Sequence, residues 1–130
     1  MKTFSPAEQL LHCRAYLHNW SRVLPDQVAG DLSLWTDPEC RTIHCAGGWL
    51  PYFPEFRALG VRALPDGVPH MDDAGRGDDV GYHLFGAYGL FTERDSEVDL
   101  VTENDHDCVT RRFEKQIEAL QGLLVSVPVC

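Results

Sequence analysis

Residues 5–20, Ser-Pro-Ala-Glu-Gln-Leu-Leu-His-Cys-Arg-Ala-Tyr-Leu-His-Asn-Trp, give the clearest indication of the fold. Ser5 suits a helix cap, Pro6 suits the first helical position, and Glu8 completes a capping box. Four apolar side chains follow at intervals of three or four residues, which places them on one face of a helix: Leu10, Cys13, Leu17 and Trp20. The pattern therefore predicts a helix from Pro6 to Arg22 that packs against a core.

A second long helix is predicted from about Asp105 to Gly122. Its apolar residues recur at i, i+4, i+8, i+11 and i+15: Val109, Phe113, Ile117, Leu120 and Leu124. Carboxylates crowd the start of this stretch, where they interact favourably with the helix dipole.

The central region predicts shorter elements. Apolar stretches bounded by Pro and Gly indicate short helices at residues 43–50, 54–59 and 80–85, the last one capped by Gly86. A small hairpin is expected from Val61 to Met71. We therefore expect a single domain over residues 1–130 that is mainly α-helical. Two longer amphipathic helices pack around the short ones, and a small β hairpin accompanies them.

The net charge of −9 is confined to one segment of the chain. Residues 72–107 contain eleven carboxylates and two arginines, whereas acids and bases balance in the rest of the chain. Direct nucleic-acid binding is disfavoured because a phosphate backbone requires a basic surface. No apolar run reaches the length of a membrane span, and the first four residues lack the apolar stretch of a secretory signal. We expect a cytoplasmic protein with no membrane partner.

Residues 40–50 contain a dense local pattern, Cys-Arg-Thr-Ile-His-Cys-Ala-Gly-Gly-Trp-Leu. It resembles a motif of small bacteriophage and bacterial proteins, Cys-Gly-Thr-x-x-Cys-x-x-Gly-(Trp or His). The match covers Cys40, Thr42, Cys45, Gly48 and Trp49, while Arg41 stands where the motif has glycine. The resemblance implies an origin in a mobile element, and it supplies no activity.

A zinc site is one interpretation of this pattern. Cys40 and Cys45 could provide two ligands, and His106 or Cys108 would have to complete the four that a structural site needs. The competing interpretation is that the two thiols only pack around a glycine-rich turn. The five cysteines are odd in number and widely spaced, which predicts reduced thiols rather than a disulfide framework.

Catalysis by Cys45 is the third possibility, as a hydrolase or transferase. His44, His70 or His83 could act as its base, and Asp72 or Asp73 could orient that base. Nothing in the spacing selects one combination, because such groups assemble only in the folded protein. The sequence also lacks the glycine-rich phosphate loops and the nucleophile elbow of common enzyme classes.

The preferred hypothesis is a non-enzymatic interaction protein of phage or mobile-element origin. Its acidic segment would bind a basic host protein, because an acidic surface gives fast and selective association with basic partners. An anti-defence inhibitor, such as an anti-CRISPR protein, fits this description. The expected partner-binding residues all carry carboxylates: Asp72, Asp73, Asp78, Asp79, Glu93, Asp95, Glu97 and Asp99. No cofactor is expected on this hypothesis, and zinc is expected only on the alternative one.

Overall fold

A computed structural model describes residues 3–23, 47–91 and 105–125 of the chain. These residues form four α-helices, three short strands and one 3₁₀ turn. In chain order they are α1 (Pro6–Trp20), a 3₁₀ turn (Leu50–Tyr52), α2 (Pro54–Ala58), β1 (Arg62–Ala63), β2 (Pro69–Met71), β3 (Gly75–Arg76), α3 (Asp78–Phe85) and α4 (Asp105–Val125). The described part is mainly α-helical and carries a small antiparallel sheet, as the sequence predicts.

The start of α1 is fixed by the predicted capping box. The Glu8 N–H donates to the Ser5 hydroxyl over 3.2 Å, and the Ser5 N–H donates to the Glu8 carboxylate over 3.1 Å. Loss of such a cap usually costs about 1 kcal/mol. The helix ends at Trp20 rather than at the predicted Arg22, because the following residues form a turn.

The buried face of α1 differs from the predicted stripe at one position. Leu10, Cys13 and Trp20 are buried as expected, but Tyr16 is fully buried while Leu17 is only partly buried. Residues 16 and 17 both lie close to the stripe at helical spacing. The aromatic ring takes the central position, because it fills more of the space between two helices than a leucine side chain does.

An aromatic cluster connects α1, α3 and α4. The Tyr16 ring lies parallel to that of Phe113, with a centroid distance of 4.1 Å and an angle of 9°. Phe85 of α3 meets Phe113 edge-on at 4.9 Å and 88°. Such pairs contribute about 0.5–1.5 kcal/mol each beyond the area that they bury. The cluster therefore holds α3 against the two longer helices.

The ends of α1 and α4 are joined by reciprocal hydrogen bonds. The Trp20 Nε1–H donates to the backbone carbonyl of His106 over 3.1 Å, and the His106 Nε2–H donates to the carbonyl of Trp20 over 3.0 Å. The two rings also stack, 4.7 Å apart at an angle of 10°. Because residue 20 meets residue 106 and residue 16 meets residue 113, the two helices run antiparallel.

The predicted apolar stripe of α4 faces the core over only part of its length. Val109, Phe113 and Leu120 are buried, whereas Ile117 is partly buried and Leu124 is 40% exposed. The helix also continues to Val125, beyond the predicted end at Gly122. With 21 residues against 15 in α1, α4 is about 9 Å longer. Its last turns therefore extend past the helix that covers the stripe.

The predicted hairpin is present and carries a third strand. β1 pairs with β2 in antiparallel fashion, and β2 pairs with β3, which the sequence did not predict. The connection between β1 and β2 turns at Gly67, where φ is 86°. The Asp66 carboxylate stabilises the turn by accepting the N–H of Val68 over 3.1 Å. β3 is two residues long, too short to show alternation.

The predicted helix at residues 43–50 lies partly outside the described residues. Its described end is a turn at residues 47–49 that leads into the 3₁₀ turn Leu50–Tyr52. The correction has a local cause, since Pro51 lacks the N–H that a continuing α-helix would require. The neighbouring helix predicted at residues 54–59 is found as α2, one residue shorter.

Candidate functional site

The β2–β3 turn and α3 carry four of the predicted carboxylates. Asp72 and Asp73 are exposed in the turn between β2 and β3, and Asp78 and Asp79 form the first turn of α3. The pairing of Met71 with Gly75 makes the turn tight. Met71, the last residue of β2, is buried and anchors the start of the turn. Asp73 of the first pair and Asp79 of the second line a common cleft.

The turn approaches α3 closely at Gly75. Its φ is +103°, and a Cβ atom at this position would lie 3.7 Å from the Asp79 carboxylate. Glycine is suited here because the backbone is in the left-handed region. The Asp79 side chain consequently lies over the turn that presents Asp73.

Next to these carboxylates is a cleft of about 410 Å3. The N-terminal segment and α1 form one wall, while the turn and α3 form the other. Its lining includes Phe4, Gln9, Asp73, Asp79, Tyr82 and Tyr88. This volume is within the range of small-ligand pockets, so the cleft can accept a side chain or a small molecule.

Two tyrosines form the aromatic part of the cleft. The rings of Tyr82 and Tyr88 are parallel, 4.5 Å apart at an angle of 12°. They are 49% and 60% exposed. Gly86 makes this pairing possible, because its φ of +81° ends α3 and reverses the chain toward Tyr82. The end of the Gln9 side chain lies against Gly86, 2.6 Å from the position that a Cβ atom would take, while the positive φ is what favours glycine here.

The carboxylates determine the electrostatics of the cleft. Desolvation raises the pKa of Tyr88, and the charge of Asp79 together with a hydrogen bond to its carboxylate raises it further. Burial and the neighbouring Asp79 charge raise the pKa of Asp78. Both shifts oppose the development of further negative charge, so a cation is the complementary ligand.

His83 lines the cleft, and His12 lies on the other side of the Phe4 contact. Burial lowers the pKa of His83; the charge of Asp73 opposes this shift and that of His12 reinforces it. The ring of Phe4 lies between the two imidazoles, with centroids 4.9 Å from His83 and 4.5 Å from His12. His12 also donates its Nδ1–H to the carbonyl of Leu84 over 2.8 Å. These contacts hold the N-terminal segment against α3.

The described metal-ligand candidates have packing roles. His106 uses Nε2 to bind the Trp20 carbonyl, and Cys108 is fully buried. Within residues 3–23, 47–91 and 105–125, no three His, Cys, Asp or Glu side chains form a group that could hold a metal ion. Cys40 and Cys45 lie outside these ranges, so zinc binding by them stays a prediction.

Only some of the residues of the catalytic alternative lie within the described part of the chain. Cys45 and His44 lie outside the described residues. Of the other suggested groups, His70 is on the sheet with its Nδ1 4.0 Å from the Asp72 carboxylate, whereas His83 is on α3 against Phe4. Catalysis by Cys45 therefore stays a prediction.

The buried thiol of Cys13, on α1, is not suited to nucleophilic catalysis. Burial raises the pKa of Cys13 to about 12, which keeps it protonated and unreactive at neutral pH.

Half of the predicted partner-binding surface is within the described residues. Of Asp72, Asp73, Asp78 and Asp79, the structure brings Asp73 and Asp79 together in the lining of the cleft. The other four carboxylates lie outside the described part of the chain: Glu93, Asp95, Glu97 and Asp99. Sequence reasoning missed Tyr82 and Tyr88. Their only signal was the position of Gly86 between them, which predicts a chain reversal but not its direction.

No protein-family model, curated protein or solved structure matches the chain. Within the described residues, no helix combines the length and apolarity needed to cross a lipid bilayer.

Proposed function

We propose that this chain is a non-enzymatic interaction protein of phage or mobile-element origin. It binds a basic host protein in the cytoplasm through the acidic segment 72–107. Inhibition of a host defence protein, as by an anti-CRISPR protein, is one activity that such binding would serve. The remaining predicted carboxylates, at residues 93–99, belong to the same proposed surface.

The observation that carries the proposal is the arrangement of the four described aspartates. The β2–β3 turn carries Asp72 and Asp73, the first turn of α3 carries Asp78 and Asp79, and one aspartate of each pair, Asp73 and Asp79, lines the same cleft. Arg76, the base nearest to them in sequence, donates to Asp66 over 3.0 Å. Its charge is therefore directed toward another carboxylate. A concentrated negative field of this kind attracts basic surfaces and accelerates their association.

The test is affinity capture from bacterial lysate with the double variant Asp72→Lys, Asp73→Lys. Both side chains are exposed, so the exchange should leave the fold intact. The matched control is Glu114→Lys, Glu118→Lys, which makes the same charge change at exposed positions of α4. We expect the wild type and the control to retain the same basic protein, and the Asp72/Asp73 variant to lose it.

Salt provides the second arm of this experiment. The Debye length falls from about 10 Å at 0.1 M salt to about 3 Å at 1 M, so capture of the basic protein should decline steeply with salt. Capture that is insensitive to salt, or that survives the charge reversal unchanged, would show that the acidic segment does not hold the partner.

A further inference from the structure

The cleft beside the aspartates combines two kinds of group that recognise organic cations. Its carboxylates come from Asp73 and Asp79, and its aromatic faces come from Tyr82 and Tyr88. Carboxylates accept hydrogen bonds from N–H groups, and the face of an aromatic ring attracts positive charge. The presence of both in one concave site goes beyond what a general acidic surface requires.

The tyrosine pair is oriented for a planar ligand. Because the two rings stack on each other, each has one face covered by its neighbour, and about half of each residue remains exposed. The Asp79 carboxylate lines the same cleft as the Tyr88 ring. A flat cation that stacks on this pair can therefore donate to a carboxylate at its edge.

A guanidinium group meets these requirements better than an ammonium group. It is planar, stacks on aromatic rings, and carries its N–H donors around its edge, which leaves them free for the carboxylates that line the same cleft. An ammonium group is compact and more strongly hydrated, so it gains less from a partly exposed ring. The geometry thus favours arginine over lysine.

We propose that this cleft is a receptor for an arginine side chain of the basic partner. The inference rests on the proposed function, since it names the residue by which that partner is recognised. Other guanidinium compounds share the same chemistry, and the experiment distinguishes them from a protein source.

The first measurement is an NMR titration of the full chain with a blocked arginine peptide and with its lysine twin. Arginine should shift the backbone amide signals of residues 81–89, and the lysine twin should bind several-fold more weakly. Equal shifts with both peptides, or shifts confined to other parts of the chain, would overturn the proposal.

The second measurement uses variants with the same arginine peptide. Tyr82→Ala or Tyr88→Ala should each weaken binding about threefold to tenfold, the range of a partly exposed cation–π contact. Tyr88→Phe keeps the ring and should retain the preference for arginine. Tyr52→Ala is the matched control, because Tyr52 is also half exposed but lies outside the cleft.

Hexa-arginine and hexa-lysine separate this inference from the proposed function. If both bind equally in low salt and the tyrosine variants change nothing, the acidic segment binds basic chains but the arginine receptor is wrong. If neither binds, both proposals fail. If the single arginine binds at the cleft and hexa-arginine binds no more tightly, the cleft accepts a guanidinium group from a source other than a basic protein, and the assignment of that group to the partner is wrong.

Discussion

Replacing His106 by alanine tests whether the joint between α1 and α4 stabilises the fold. The variant loses the hydrogen bond from Nε2 to the Trp20 carbonyl and the stack on the Trp20 ring. It keeps its own backbone carbonyl, so the bond donated by Trp20 Nε1 can remain. The Trp20 carbonyl also keeps the N–H of Val23 as a donor, 3.0 Å away.

The expected loss follows from these contacts. A hydrogen bond contributes about 1 kcal/mol net, and a stacked aromatic pair contributes about 0.5–1.5 kcal/mol. The higher helix propensity of alanine returns up to about 0.5 kcal/mol. The free energy of unfolding should therefore fall by about 1–2 kcal/mol, which corresponds to a decrease in Tm of about 4–8 °C for a chain of this size.

Thermal unfolding followed by circular dichroism measures this difference. His18→Ala is the control, because His18 is exposed on α1 and its loss should change stability by no more than about 0.5 kcal/mol. The melts are repeated with a chelator. If the difference in Tm between the variant and the wild type disappears when metal is removed, the packing role of His106 is refuted and the zinc alternative is favoured.

Two further predictions concern α3 and α4. Gly122→Ala on α4 has open space and should stabilise the protein by about 0.5–1 kcal/mol, because glycine is unfavourable within a helix. At Gly81 the added Cβ would lie 3.1 Å from the Phe91 ring, so crowding should offset the same gain and make Gly81→Ala the less stable of the two variants by about 1–3 kcal/mol. Chemical denaturation measures both, and equal effects would contradict the packing argument. Asp78→Asn should become relatively more stable as the pH rises from about 3 to about 7. Burial and the Asp79 charge raise the pKa of Asp78 above 3.8 in the folded state, so its ionisation costs stability as the pH rises through that value. A Tm difference between variant and wild type that does not change with pH would refute this reasoning.

The sequence predicted features that depend on near neighbours in the chain. The Ser5–Glu8 capping box and the Gly86 cap were predicted correctly, because each is formed by residues within a few positions of one another. Tyr16 was missed as a core residue. Periodicity places residues 16 and 17 almost equally close to the apolar face, and only the facing ring of Phe113 distinguishes between them.

The candidate site was predictable in charge but not in shape. Counting carboxylates located the acidic segment, since the net charge is a property of composition. The cleft depends on contacts between distant parts of the chain, such as Gln9 against Gly86 and Phe4 against His83. Neither pair has a spacing that a sequence pattern could show. The pairing of β3 was missed for a different reason, because its two residues carry too little alternation.

Stability and the proposed recognition involve largely different side chains in this protein. The aromatic cluster that joins the helices is fully buried, whereas Asp72, Asp73 and the tyrosine pair are exposed at the rim of the fold. Exposed substitutions away from such packing usually change stability by less than about 0.5 kcal/mol. Variants of the rim should therefore affect binding while their Tm stays near that of the wild type. His83 is the exception, because it contacts Phe4 and also lines the cleft, so its replacement should affect both properties together.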